Sequence, residues 1–276
     1  GKTLTMASGG SLNQSGGIIS GAGSFANQTT TTLGGANTYS GGTVLSGGIL
    51  SISADNNLGA VPGVVTAASL SFGGGALATT ADITVHANRG MTLNTGGGAL
   101  KPAVSTTLTY NGIITGPNSL TISGAGKVIL GGANDYSGGT VITSGTLEAS
   151  GDNLPTAGAI SVGAAGTFSL TSGNADVTGS FVNAGIANLA GTLSPASGSS
   201  NSNTININSG GKLNITSSFN NTGDIQNNAN MTIAAAIIGG GTLHNNANGI
   251  LTTSGKQSIT VASFTNAGTL DFSIND

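Results

Sequence analysis

His86 and Arg89 stand three residues apart in the run VHANRGMTL, the one place where two potentially catalytic side chains lie so close. Polysaccharide-cleaving sites need clustered carboxylates, or a calcium site with a basic residue beside it. The acids of this chain are spent singly. Asp82, Glu148, Asp176, Asp224 and Asp271 have no acidic neighbour within three residues, and no calcium loop of the DxDxDG or GGxGxD kind occurs. Asp55 and Asp152 sit in SADNNLG and SGDNLPT, 97 residues apart, so they occupy equivalent turns and cannot pair with each other. Asp closes its own turn by hydrogen bonding, and that is the role expected for both.

Without a carboxylate partner near them in the sequence, His86 and Arg89 are given a structural role, His being common on turns. His244, in TLHNNANG, has no second histidine or carboxylate near it in the sequence, so a metal site there would need partners from elsewhere. Tyr39, Tyr110 and Tyr136 are the only tyrosines, too few for an aromatic platform binding sugars or single strands. The sequons at Asn27, Asn214, Asn220 and Asn230 arise by chance in a chain so rich in Asn and Thr. Runs such as TTTT (Thr29 to Thr32) are too irregular for the Thr-x-Thr ladder of an ice-binding face. No catalytic, cofactor-binding or metal-ligating residue is assigned, and the expectation is a non-enzyme without cofactor.

The elements that would position these residues are repeats. LGGANTYSGGTVLSGGILSIS, Leu33 to Ser53, returns as LGGANDYSGGTVITSGTLEAS, Leu130 to Ser150, and Thr38 against Asp135 is the one difference in the first twelve residues. That exchange marks a solvent-facing position. GIISGAGSF at Gly17 likewise matches GIITGPNSL at Gly112.

Between turn clusters of Gly, Asn, Asp and Ser lie apolar bursts of three to five residues, which is the grammar of short strands. Gly supplies 49 residues and Pro only 5, without the every-third-residue glycine of collagen. Recurrent Val, Ile and Leu argue against disorder. Bursts repeating at a fixed lap fit a coil stacked on itself better than hairpins do. Each lap of roughly 20 residues then lays strands about 4.8 Å above those of the last.

The core candidates are Leu33, Val44, Leu45, Leu50 and Ile52 in the first copy and Leu130, Val141, Ile142 and Leu147 in the second. Which member of each adjacent pair points inward stays open. Gly41, Gly42, Gly138 and Gly139 sit where the backbone must turn sharply. Asn37 and Asn134 precede them as corner residues able to bond from lap to lap.

GANTYSGGT followed by GGIL or SGTL, then DNNLGAVPG, ANRGMTLNTGGGAL and NGIITGPNSLTISGAGKVIL, resembles the passenger-associated repeat of bacterial autotransporters over Gly17 to Asn153. The resemblance implies a right-handed β-helix displayed outside the outer membrane, in which the Arg89-Gly90 pair ahead of an apolar strand decorates a turn. Beyond Asn153, SFVNAG, SFNNTG and SFTNAG repeat a Ser-Phe-x-Asn-x-Gly unit that places Phe181, Phe219 and Phe264 inside. This part, with GGGTLHNNANGIL, resembles filamentous-haemagglutinin-like adhesin coils. The polar tract Ser194 to Asn203 reads as a loop bulging from one coil.

Six basic and nine acidic residues are scattered singly, leaving no basic stripe for nucleic acid or anionic membrane. No run reaches the roughly 18 apolar residues of a spanning helix, and no signal peptide opens the chain, so a mature or excised segment is expected. Cysteine is absent, which removes disulfides and thiolate sites.

The fold expected is all-β, a single right-handed parallel β-helix of about a dozen coils. Residues 1–153 form the autotransporter-type repeats and residues 154–276 continue the helix with Asn-rich coils. The function expected is an extracellular structural or adhesive fibre segment on a bacterial surface, offering weak repeated contacts to host or bacterial glycans. A polysaccharide lyase or glycosidase is the alternative. Strand grammar runs from Lys2 to Ile274 without a polar cap, so either further coils of a longer polypeptide flank the segment or copies associate end to end into a filament, and the second is the expectation favoured.

Overall fold

A computed structural model describes residues 2–255 and 257–273; Ile274, where the last strand-like run ends, lies outside them. Gly1–Gly139 and Thr140–Asp276 form two compact units, and each is a stack of short parallel strands. Together they make about 13 turns of a β-solenoid, nearly without helix.

In the first unit one stack contains Leu4–Met6, Phe25–Asn27, Thr43–Leu45, Thr66–Phe72, Arg89–Leu93 and Ile114–Thr115. A second runs from Leu12–Gln14 through Thr30–Leu33, Ile49–Ile52, Ala76–Thr79 and Gly98–Pro102 to Leu120–Ile122. A third joins Ile83–Val85, Thr107–Tyr110 and Lys127–Leu130. The second unit repeats the plan, with a six-strand stack from Asn174–Val177 to Thr269–Ser273. Parallel ladders need a crossover between partners, and here each lap of the chain supplies it.

Register sets the core. Phe25 stands opposite Thr43, 18 residues on, and Thr204 opposite Asp224, 20 residues on, close to the expected lap. Alternation then resolves the adjacent pairs: Leu45 and Ile142 point inward and are fully buried, whereas Val44 and Val141 are half-buried on the outer side. Leu33, Leu50, Ile52, Leu130 and Leu147 are all core residues, and Asp135 is exposed as expected. Burying one such side chain contributes about 1.5–3 kcal/mol, and the stacking repeats that gain at every rung.

Two expectations are corrected. Phe181 and Phe219 are fully buried, and Phe264 continues the inner column of Ile225 and Leu243, 44% exposed on the last described rung, but the three do not share one stack. Phe181 faces Ile160 and Phe219 faces Ile237 in one stack, while Phe264 faces Leu243 in another. The motif recurs on a different side of the coil, on a rung that no described strand covers. The Ser194–Asn203 tract is no bulge either. Thr192–Pro195 and Ser200–Asn201 are strands in register with their neighbours. Ser199 Oγ accepts from the Phe181 amide at 2.8 Å and donates to the Ala196 carbonyl at 2.6 Å, closing the turn between them.

Candidate functional site

The lap from Thr43 to Leu70 takes 27 residues, and its extra length is a short 3-10 segment, Asp55–Leu58, followed by an outlying loop. Arg89, from the strand of the next lap, is buried beneath that segment at 1% exposure. Its Nε donates to Asp55 Oδ1 at 3.0 Å. Nη1 donates to the Leu58 and Ala60 carbonyls, both at 3.2 Å. Nη2 donates to the carbonyls of Asp55 at 3.3 Å and Gly59 at 2.7 Å. A guanidinium has five N–H donors, and all five are used.

This corrects the turn-decoration reading of Arg89 and the premise that no acid accompanies it. Asp55 is its partner, and the Asp55 carboxylate also accepts from the His86 amide at 3.3 Å. The two side chains of VHANRGMTL part company. Arg89 turns in, whereas His86 is exposed and its Nδ1 accepts from the Asn88 amide at 3.0 Å. A guanidinium saturated by carbonyls has no donor left for a substrate. The signal available in the sequence was that Arg89 is the only arginine of the chain, but its 34-residue reach to Asp55 follows from the coil register alone.

Tyr110 packs on the same knot and donates to the Arg89 carbonyl at 2.8 Å. Burial raises the Tyr110 hydroxyl pKa. Tyr39, hydrogen-bonded to Thr43 Oγ1 at 2.8 Å, is pushed up to about 12 by burial against smaller lowering from that bond and from Arg89. Tyr136 is buried too. All three tyrosines serve the interior.

Corner amides bond from lap to lap as expected, though not always to each other. Asn37 exchanges two bonds with Gln14, at 2.7 and 3.0 Å, and donates to the Asn57 carbonyl at 2.8 Å. Asn134 Oδ1 accepts from the Ile114 amide at 2.8 Å. In the second unit true ladders appear. Asn183 donates to Asn201 and Asn201 to Asn221, each at 2.8 Å. Asn227 donates to Asn245 and Asn245 to Asn266, each at 2.7 Å.

Of the remaining acids, Asp82 Oδ1 accepts from the Thr107 amide at 2.7 Å, and Asp152 lies in the 3-10 segment Gly151–Asn153, the counterpart of the Asp55 turn. His244 does gain a carboxylate by stacking: its Nε2 lies 3.3 Å from Asp224 Oδ1, and its Nδ1 lies 2.7 Å from Thr265 Oγ1. That pair sits on the outer face, half-exposed. Among the described residues no three His, Cys, Asp or Glu side chains gather as a metal ion would require.

The outward positions form rows. Glu148, Ser169, Asn188, Asn206, Gln226, His244 and Thr265 stand one above the next. Two residues earlier on each strand run Thr146, Thr167, Ile186, Thr204, Asp224, Thr242 and Ser263. The rows are mostly polar, interrupted by Ile186 and carrying the acids Glu148 and Asp224 beside His244.

The family model of the passenger-associated transport repeat matches residues 28–52 and 120–149. The chain carries passenger-associated transport repeats of the autotransporter kind. Both matched stretches hold copies of the Gly-rich motif. The chain is also similar to the adhesin BmaC autotransporter of Brucella suis biovar 1 (strain 1330), 41% identical over 119 residues, which are 43% of this chain and 3% of that protein. It therefore spans a small part of the length of the relative it matches. No solved structure matches the chain. The similarity implies a secreted, surface-exposed protein.

Proposed function

We propose that this chain is an adhesive segment of an autotransporter passenger, held outside the outer membrane and acting without catalysis. The seven-rung polar face of the second unit carries the reading. Hydroxyl and amide groups recur there at each rung, about 4.8 Å apart, and many weak contacts to one extended partner add up through effective concentration. Surface glycans of host or bacterial cells match that chemistry, because the face offers hydroxyl and amide donors and acceptors at successive rungs. The similarity to a protein named as an adhesin supports the same class.

The test is binding of beads coated with the purified chain to cultured epithelial cells and to a glycan array. Binding that falls when Thr167, Asn188 and Asn206 are all changed to Ala is expected. Binding indifferent to the triple change, or cleavage of pectin or alginate by the chain, would overturn the reading. Association of two copies end to end is part of the proposal; the low net charge of the chain offers little repulsion against it. Sedimentation should show larger species that vanish with Phe264→Asp; a monomer in both would remove self-association.

A further inference from the structure

The longest lap of the first unit carries its extra residues outward. Residues 60–68 are nine in a row without a buried side chain, the longest such stretch among the described residues from 25 to 251. Val64 is 74% exposed and Val65 57%. A cleft of about 310 Å³ undercuts the stretch, lined on its side by Val61, Pro62, Gly63, Thr66 and Ala68. The ties that hold it lie outside the core. Asn88 Nδ2 donates to the Pro62 carbonyl at 2.8 Å, the Thr66 amide to the Asn88 carbonyl at 3.0 Å, and Thr66 Oγ1 to the Val64 carbonyl at 3.1 Å. Such a segment opens locally for a fraction of the global unfolding free energy, and exposed tips of this kind are where folded chains are nicked.

An endopeptidase must find its preferred side chain in a segment that it can draw out. Arg89 is buried, and Lys101, Lys127 and Lys212 lie in paired strands, so a protease specific for basic residues meets an ordered ladder there. The three tyrosines are buried as well, which hides them from a protease selective for large aromatic residues. Pro62, Gly63, Val64 and Val65 instead present small branched aliphatics, the kind that the small specificity pocket of an elastase accepts. Val104 is 71% exposed too, but its turn is short and closed. Both the amide and the hydroxyl of Thr106 donate to the Ala103 carbonyl, at 3.1 and 2.8 Å.

We infer that the peptide bond between Val64 and Val65 is a nicking site for a serine endopeptidase with a small apolar specificity pocket, and that the cut chain stays assembled. The serine of the protease attacks the Val64 carbonyl carbon, and the Val65 nitrogen leaves with a proton. Water then releases the acyl group, so one water is consumed and a Val64 carboxylate and a Val65 ammonium remain. The two pieces are knitted together across the cut. Thr43–Leu45 pairs with Thr66–Phe72 and Ile49–Ile52 with Ala76–Thr79. Arg89 of the later piece keeps its bonds to Asp55, Leu58, Gly59 and Ala60 of the earlier one. The site lies in the first unit and does not depend on glycan binding by the polar face of the second.

The test is limited digestion of the folded chain by pancreatic elastase, with trypsin in parallel, read by intact mass and by gel filtration with and without urea. The first elastase cut is expected between Val64 and Val65, about tenfold or more faster than any other, because native-state cleavage follows the population of the open segment. Residues 1–64 and 65–276 should co-elute like the parent chain and separate only in urea. Changing Val64→Asp and Val65→Asp together should slow the cut about tenfold or more and leave the melting temperature unchanged, since both side chains are exposed. Trypsin should leave Arg89, Lys101, Lys127 and Lys212 uncut over the same time. A first elastase cut elsewhere, Val104 included, or no cut while the urea-unfolded chain is digested would overturn the inference. So would an unchanged rate in the double variant, pieces that part without urea, or trypsin cutting as fast at those four residues.

Discussion

Arg89 and Asp55 are joined across 34 residues of sequence by a 3.0 Å ion pair, with the guanidinium buried and the carboxylate one-fifth exposed. The pair is the strut of the longest lap in the first unit. The buried carbonyls of Leu58 and Gly59 each accept from the guanidinium, and buried acceptors left unsatisfied are costly. Arg89→Ala should therefore cost about 3–5 kcal/mol, the usual penalty for breaking a buried pair. His86→Ala, three residues away but exposed, should stay within about 0.5 kcal/mol. Urea midpoints give the comparison, and similar losses for the two would reject the strut.

The repeat itself makes a second comparison. Leu130 is 2% exposed among stacked aliphatics, so Leu130→Asp buries a charge without a partner and should cost several kcal/mol. Asp135→Thr puts in the second copy what the first already has, on an exposed corner, and should change stability by less than about 0.5 kcal/mol. Equal shifts in urea would mean that the inward and outward assignment is wrong.

The sequence made the coil and most of its core legible, because alternation and the repeated motif are local signals. Leu33, Leu50 and Ile52 needed no more than that. Relations between laps were harder. The Asp55–Arg89 pair spans 34 residues, and whether Asp224 meets His244 depends on an 18-residue lap followed two residues later along the strand. Variable lap length also explains Phe264: the third Ser-Phe-x-Asn-x-Gly unit looks like the others, yet 45 residues carry it past the Phe181 and Phe219 stack to another side. The polar tract at Ser194–Asn203 was misleading for a different reason. Asn201 is polar but fully buried, because a ladder of its own kind satisfies it.

That ladder predicts a reversal of the usual rule that apolar substitutions suit a core. Asn201 accepts from Asn183 and donates to Asn221, so Asn201→Leu strands two buried amides at once. A loss on the order of 3 kcal/mol is expected. Asn206, whose amide meets Asn188 Oδ1 at 2.9 Å on the half-exposed outer face, has water as a substitute partner. Asn206→Ala should cost less than about 1 kcal/mol. Slowed amide hydrogen exchange around Asn183 and Asn221 in Asn201→Leu would contradict the account, since the stranded rungs should open more often.

Alkaline stability should report the buried tyrosines. Tyr39 has its pKa raised from 10.0 to about 12, so the folded chain holds a phenolic proton that the unfolded chain releases first. By linkage, stability falls with pH wherever the folded state binds more protons. The contribution is whole below pH 10, declines between about pH 10 and 12, and is gone above that. Tyr110, raised by burial as well, acts in the same direction. One such interval of two units corresponds to on the order of 2–3 kcal/mol. Tyr39→Phe loses the bond to Thr43 and should be somewhat less stable at pH 8, yet its urea midpoint should fall less steeply from pH 10 to 12 than that of the parent chain. Parallel curves for the two proteins over that interval would show that Tyr39 ionises as freely in the folded state as in the unfolded one.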